Sequence, residues 1–551
     1  MLLGAETAAT CRRLLALLTT TLFLFHGNVT LMQGEPNTSS SEESDPDHAL
    51  HRIKHFVVIY QENWSFDSLY GLFPGADGLA QSSPKSLNQT DRFDKPLSAQ
   101  IGRPFSLVSG SLNLTTPPPP ISNGQIDLRF KPGLNTLLPY DVLKNSILMA
   151  NDKTGDLVHR FWQEQSQIDQ GAMDWFVTWS DNPGLTMSYF DASNMPEGLL
   201  AQKYTLADNF FHAAFGGSFL NHQFLISAAA PVYPSAPASM QAVLDTDGQL
   251  LVNPTTGKIV RDGNITPVGG VSFSVSGATF QKNYAVNTIF SANLVPTSST
   301  VGSPALLPSL NDSDPSDTTR PFMPTIGDRL SAKNISWKWY SGGWDNALVS
   351  TASNPVNHGV VPTNPPVDAL FQWHHQPFVY YDNYAPFKNG ARNNVSAAHL
   401  QDENNFFLDL KNEQLPAVAF IKALGPDNEH PGYAGLLQGQ QHVADIVSAV
   451  EKSDYWEDTL IIVTYDEHGG RWDHVTPPGT GIWGDGTRVP AIIIGPLAKR
   501  GFVDHTQYDT LSILRTIEER FGLEPLNALD AQATSLKNSL RQGDDQGDDD
   551  K

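Results

Sequence analysis

The sequence has almost no cysteine. Cys11 is the only one in 551 residues, and it lies in an N-terminal stretch that reads as a removable leader. Disulfide bridges and thiolate zinc sites are therefore excluded from the rest of the chain. Basic residues are also scarce: Lys and Arg number 35 against 58 Asp and Glu, a net charge of −23. That balance excludes nucleic acid as a partner and disfavours charge-driven binding to anionic membranes. A phosphate-bearing ligand would need a local feature that overrides the global field, and a metal ion is one. Long apolar runs are missing as well. Leu14–Phe25, behind Arg12 and Arg13, is too short to span a bilayer as a helix and fits the core of a signal peptide over residues 1–27. An uncleaved signal anchor is the alternative. No later segment reaches transmembrane length, so a secreted or periplasmic protein is expected.

What is present is the composition of a globular enzyme, 40% hydrophobic and 17% charged, long enough to bury a sizeable core. Serines and acids mark residues 28–50 as a polar linker. Short apolar runs follow at Ile53–Tyr60, Ala417–Ile421, Leu460–Tyr465 and Ala491–Ile494, with a further candidate at Trp337–Tyr340. They alternate with helical patterns such as Gly439–Ser453 and Thr510–Phe521. This predicts an α/β catalytic domain over 51–531, with a buried, largely parallel sheet and helices on both faces. Between 231 and 321 Gly, Ser, Thr, Val, Asn and Pro dominate, which reads as a β-rich insertion. Residues 532–551 read as an acidic tail, and no internal repeat is visible.

In an open α/β sheet, ligands bind beyond the carboxyl ends of the strands. The first strand runs into Gln61-Glu62-Asn63 and the third into Asp466-Glu467-His468-Gly469-Gly470. If these strands are parallel, both clusters emerge at one edge and offer hard oxygen donors to one divalent cation. Either cluster alone reads equally well as solvated acids or helix caps. Ser218, in Gly216-Gly217-Ser218-Phe219-Leu220-Asn221-His222, stands at a glycine turn that opens a helix, where the helix N-terminus favours an alkoxide and an incoming phosphate. On its own the same segment reads as a plain Ser N-cap. Histidines at 159, 374, 375 and 430 lie among Gly, Pro and aromatic residues without basic neighbours. That suggests a phosphate site built from imidazole rather than from Arg or Lys.

Together these motifs are familiar. The stretch from Ile53 through Tyr60, Gln61, Glu62, Asn63, Trp64 and Ser65 to Asp67 resembles the opening signature of the phosphoesterase family of bacterial acid phosphatases and phospholipases C. Asp208 to Asn221 is similar to that family's nucleophile segment. Thr464 to Gly470, followed by Asp473, His474 and Pro477-Pro478, is similar to its C-terminal metal segment. The resemblance covers about residues 51 to 525. It implies an alkaline-phosphatase-like core, with Ser218 as nucleophile and Glu62, Asn63, Ser218, Asp466 and Glu467 as ligands of one divalent metal. It also implies that His159, His374, His375 and His430 surround the transferred phosphoryl group. The acid phosphatase branch fits best, because phospholipases C often use threonine as nucleophile and carry extra C-terminal β domains. The expected activity is monoester hydrolysis through a phosphoserine, with an acidic optimum of about pH 5 to 6.5 on the histidine pKa. The alternatives are a phospholipase C acting on phosphatidylcholine-type diesters and, in another class, an inactive secreted binding protein of the same fold. Small phosphate esters or phospholipid headgroups are the expected partners, and no stable protein partner is implied.

Overall fold

The apolar runs form the centre of an eight-stranded sheet in a computed structural model. It describes residues 47–541 apart from 98–101, 106–124, 247, 267–272, 276–277, 281–282, 295–301, 353–367, 369, 390 and 480. The strands in chain order are β1 (His55–Gln61), β2 (Thr205–Ala207), β3 (Trp337–Ser341), β4 (Leu400–Asp402), β5 (Val418–Lys422), β6 (Thr459–Tyr465), β7 (Ala491–Ile494) and β8 (Phe502–Asp504). Across the sheet they lie in the order β4-β3-β5-β1-β6-β7-β2-β8. Only β7 runs against the rest, pairing antiparallel with β6 and β2. β1 sits between β5 and β6 and is parallel to both.

Successive strand residues point to opposite faces. Every residue of β5 and β6, and Phe56–Gln61 of β1, is buried, so both faces of the sheet must be covered. The covering helices include α1 (Asp47–Arg52), α2 (Phe161–Ile168), α3 (Pro196–Lys203), α4 (Ser218–Ser227), α5 (Leu436–Glu451) and α6 (Thr510–Phe521). The α/β layering and the largely parallel sheet are as expected. No helix among the described residues is long and apolar enough to cross a membrane.

Two boundaries differ from the expectation. Residues 47–50, assigned to the linker, belong to α1, whose Ala49 and Leu50 are buried. The tail begins later than 532: Leu536 and Leu540 enter the core, and Ser539 Oγ donates to Asp504 Oδ2 at 2.7 Å. These two leucines stand among polar residues and just before an acidic run, which hid their packing. The leader, the rest of the linker and residues 542–551 lie outside the described residues. Residues 231–321 contain short strand pairs, such as Ile265–Thr266 with Tyr284–Ala285 and Phe290–Ser291 with Leu306–Leu307, joined by turns.

A buried ion network fixes the loops at the carboxyl edge. Arg488 is fully buried; its Nε donates to Asp473 Oδ1 at 3.0 Å and its Nη2 to Asp67 Oδ1 at 3.2 Å. Its Nη1 donates to the carbonyls of Asp77 and Asp208. His474 joins through Asp67 Oδ2 at 2.7 Å. Arg488→Met would leave two carboxylates buried without their cation, a loss of about 3–5 kcal/mol. The denaturant midpoint of this variant is expected to fall well below that of the parent, and an unchanged midpoint would contradict the assignment.

Candidate active site

The register between β1 and β6 pairs Gln61 with Tyr465. Glu62-Asn63 and Asp466-Glu467 therefore leave the sheet side by side, as the sequence predicts for parallel strands. The two turns interlock. Asn63 N donates to Asp466 Oδ1 at 3.1 Å, and Asp466 N donates to Gln61 O at 3.0 Å. Asn63 adopts a left-handed φ of 67°, a conformation asparagine tolerates better than most side chains. Gly469 is needed beside it, since a Cβ there would come within 2.3 Å of the Asn63 carbonyl.

Ser218 is the first residue of α4, and its Oγ donates to Glu62 Oε2 at 3.0 Å. This joins the nucleophile candidate to the acidic clusters across 156 residues of chain. Ser218 is only 6% exposed, less open than a glycine-turn serine suggests. The backbone of His159 lies against Gly217, where a Cβ would meet the His159 carbonyl at 2.7 Å. Ser218 opens onto a cavity of about 270 Å³ whose wall includes His159, His374, His430, Tyr433, Asp156 and Arg160, and at its rim Asn287 from the 231–321 segment.

Asn63 links two of the histidines. His159 Nδ1 contacts Leu157 O at 2.6 Å and His430 Nδ1 contacts Pro431 O at 2.5 Å. A carbonyl only accepts, so both Nδ1 atoms carry the proton and both Nε2 atoms are lone pairs. Asn63 Nδ2 donates to His430 Nε2 at 3.0 Å and to His159 Nε2 at 3.4 Å. The amide oxygen of Asn63 is thereby left free of hydrogen bonds.

His375 is placed differently from the other three. It does not line the cavity; it is buried behind it, with Nε2 3.1 Å from Glu62 Oε1 and its ring stacked on His222 at 5.0 Å. The His374 and His375 rings meet edge to face at 4.5 Å in a tight 3-10 turn, with His375 the more buried of the two and turned to Glu62. The absence of basic residues is corrected. Lys422, at the end of β5, is fully buried, donates to Tyr60 O at 2.9 Å and pairs with Glu62 Oε1. A lysine ending an otherwise apolar strand next to β1 was the available signal. His222, one helical turn after Ser218, was also missed.

Burial, then the nearby Asp466 charge, pushes the Glu62 carboxyl up to about 8, and the same two causes raise Glu467 well above the ordinary range. Three carboxylates face one ammonium, so two negative charges are uncompensated when all are ionised. Asn63 Oδ1, Asp466 Oδ2 and Glu467 Oε1 are buried oxygens without a hydrogen-bond partner. Buried oxygens in that condition fit a divalent cation with a taste for hard ligands. The imidazoles behave differently from the expectation. Burial, then Lys422, holds His374 down to about 3. Burial also lowers His159, His375 and His430. Lowered imidazole pKa values weaken the case for phosphate binding by imidazolium, the ground on which an acidic optimum is expected.

Against known proteins, the model of the phosphoesterase family matches residues 53–524. Phospholipase C B of Mycobacterium tuberculosis is 23% identical over 504 residues, covering 86% of this chain and 74% of that protein. The non-hemolytic phospholipase C of Pseudomonas aeruginosa is 29% identical over 234 residues, covering 36% of this chain and 30% of its own. Among solved structures, a protein in the alkaline phosphatase superfamily from Vibrio parahaemolyticus is 13% identical, with a TM-score of 0.21 over 36% of this chain and 48% of that one.

Metal binding at the acidic cluster must displace the protons that burial holds on Glu62 and Glu467. A carboxyl whose folded pKa is raised stabilises the metal-free fold below its ordinary value of 4.5, and that contribution is lost as pH rises to about 8. The cation replaces the lost protons over the same window. Apparent affinity, measured by chelator competition, is therefore expected to rise from about pH 5 to about pH 8 and then level off. An affinity flat or falling across that window would contradict this charge arrangement.

Proposed function

The chain belongs to the phosphoesterase family, and from that premise we propose that it is an exported, metal-dependent phosphodiesterase of the phospholipase C type with Ser218 as nucleophile. The observation that carries the substrate class is the charge of the cavity wall. Burial disfavours the charged form of its three imidazoles, and the guanidinium of Arg160 is engaged by Asp262. Such a wall suits the single negative charge of a diester better than the double charge of a monoester at neutral pH. The likeness to phospholipases C points the same way. Export rests on the Arg12–Phe25 segment.

A cation held by Glu62, Asn63, Asp466 and Glu467 supplies a lowered pKa at a bound hydroxyl and screening of phosphoryl charge. The side chains do the rest. Ser218 Oγ, which donates to Glu62 Oε2, would release its proton to water and attack phosphorus in line. The Oγ–P bond forms as the bond to the leaving alcohol breaks, and that alcohol takes a proton from water in the cavity. His374 lines the cavity, which makes it our candidate for the side of the leaving oxygen. Water then adds at phosphorus, the P–Oγ bond breaks and Ser218 regains its hydrogen. Asn63 holds His159 and His430 in fixed tautomers at the cavity wall. Ser218, Glu62, Asn63, Asp466 and Glu467 are all present, which argues against an inactive binding protein.

A second reading, hydrolysis of phosphate monoesters, is favoured by the serine at position 218, where phospholipases C often carry threonine. The two separate in one assay of the metal-loaded protein. p-Nitrophenyl phosphorylcholine is expected to exceed p-nitrophenyl phosphate in kcat/KM by at least about tenfold, ~1.4 kcal/mol in the barrier. The reverse order would establish the monoesterase. Ser218→Ala is expected to lower kcat by more than about a thousandfold with an unchanged melting temperature. Substantial residual turnover would remove Ser218 from its role.

A further inference from the structure

A second group of metal-binding side chains lies beneath the nucleophile turn. Glu164 from α2, His212 between β2 and α4, and His468 just after the strand end of β6 are all fully buried. They offer one ligand atom each, all within 4.8 Å of one another. Glu164 Oε1 is 2.8 Å from His212 Nε2 and 3.5 Å from His468 Nε2. The two imidazoles lie nearly parallel, 8° apart in plane, with centroids 5.5 Å apart.

The tautomers follow from the other ring nitrogens. His212 Nδ1 contacts Ala214 O at 2.8 Å, and His468 Nδ1 contacts Arg471 O at 3.1 Å. Carbonyl oxygens only accept, so both Nδ1 atoms carry hydrogen, and each ring presents an Nε2 lone pair when neutral. Against burial, Glu164 raises the His212 imidazole, so in the metal-free protein a proton on His212 Nε2 faces the carboxylate, while burial lowers His468, whose Nε2 has no hydrogen-bond partner. A cation that displaces that proton would meet two lone pairs and a carboxylate in one gap sealed from solvent. Three electron-rich atoms do not converge in a water-free interior without something positive between them. Histidines that donate Nδ1–H to a backbone carbonyl while Nε2 faces inward are also the usual arrangement of imidazole metal ligands.

The surroundings hold the carboxylate in place. Thr487 N and Oγ1 donate to Glu164 Oε1 at 2.8 and 2.9 Å, and Gly216 N donates to Oε2 at 2.5 Å. Burial works against its charge, but the facing imidazoles and the Gly216 amide keep Glu164 down at about 2. Glu164 is thus ionised and paired with the His212 imidazolium in the metal-free protein, a proton that a bound cation would replace.

We propose that Glu164, His212 and His468 bind a second divalent cation, separate from the one held by Glu62, Asp466 and Glu467. Two imidazoles and one carboxylate select a borderline transition ion such as zinc over calcium or magnesium. The site is structural in character: it is closed to solvent and does not touch the cavity. It joins three pieces of the catalytic apparatus, since α2 follows His159, Gly216 lies two residues before Ser218, and His468 follows Glu467. Its cation would hold the nucleophile turn and the metal-binding strand end in mutual register.

The test is the metal content of full-length protein grown with zinc, dialysed exhaustively and measured by plasma mass spectrometry. The parent is expected to carry about one ion per chain more than His212→Asn, with Asp466→Ala losing a different ion. Equal content in the parent and His212→Asn would overturn the proposal and leave a proton on His212 as the occupant of the gap. Failure of the active-site reading would show separately, as an Asp466→Ala variant that keeps the parent's content. If His212→Asn does not fold, crystals of zinc-loaded parent decide. Anomalous difference density is expected between the two Nε2 atoms, and its absence overturns the proposal.

Discussion

The structure is organised around one electrostatic conflict. Glu62, Asp466 and Glu467 are fully buried within one turn of two neighbouring strands. Lys422 answers part of their charge, and protons on Glu62 and Glu467 answer the rest until a cation displaces them. Burying like charges this closely is costly unless they are paired. The sheet nevertheless brings them together, because the parallel register of β1 and β6 leaves their following residues no other place to go. Ser218 is drawn to the same point by its hydrogen bond to Glu62.

Residues one position before the ligands keep that arrangement rigid. Gln61, Tyr465 and Glu429 precede Glu62, Asp466 and His430. Gln61 Nε2 donates to Glu429 Oε1 at 2.9 Å, and Tyr465 OH lies 2.7 Å from Glu429 Oε2 and 2.9 Å from Glu197 Oε2. Burial, then the facing Glu429, raises Glu197 well above the ordinary range, while burial raises Glu429. The pair favours keeping a proton between them. Trp64 Nε1 adds a bond to the Glu429 carbonyl at 3.0 Å. One network thus sets the strand ends of β1 and β6 and the loop that carries His430.

Much of this was legible in the sequence because it follows from short-range patterns. Runs such as Leu460–Tyr465 and Ala491–Ile494 are too apolar and β-branched to be anything but buried strands, and their ends place the acids. The site residues missed are those whose role depends on a neighbour far along the chain. Lys422 looks like a strand terminus until β5 is laid beside β1. Adjacency could not say that His374 lines the cavity while His375 is buried against Glu62. Glu164 and His212 carry no local signal, and their meeting depends on how α2 packs under the turn before Ser218. The expected acidic optimum rests on an ordinary histidine pKa, which assumes full solvation, whereas burial lowers these rings.

The central claim is that a divalent cation sits against Ser218 among the oxygens of Glu62, Asn63, Asp466 and Glu467. X-ray diffraction at the absorption edge of the bound metal tests it most directly. The account predicts an anomalous peak at roughly 2.0–2.6 Å from carboxylate oxygens of Glu62 and Asp466, with Ser218 Oγ in its shell. A metal-loaded crystal with no peak in that cluster, and Lys422 alone facing the three carboxylates, would contradict it.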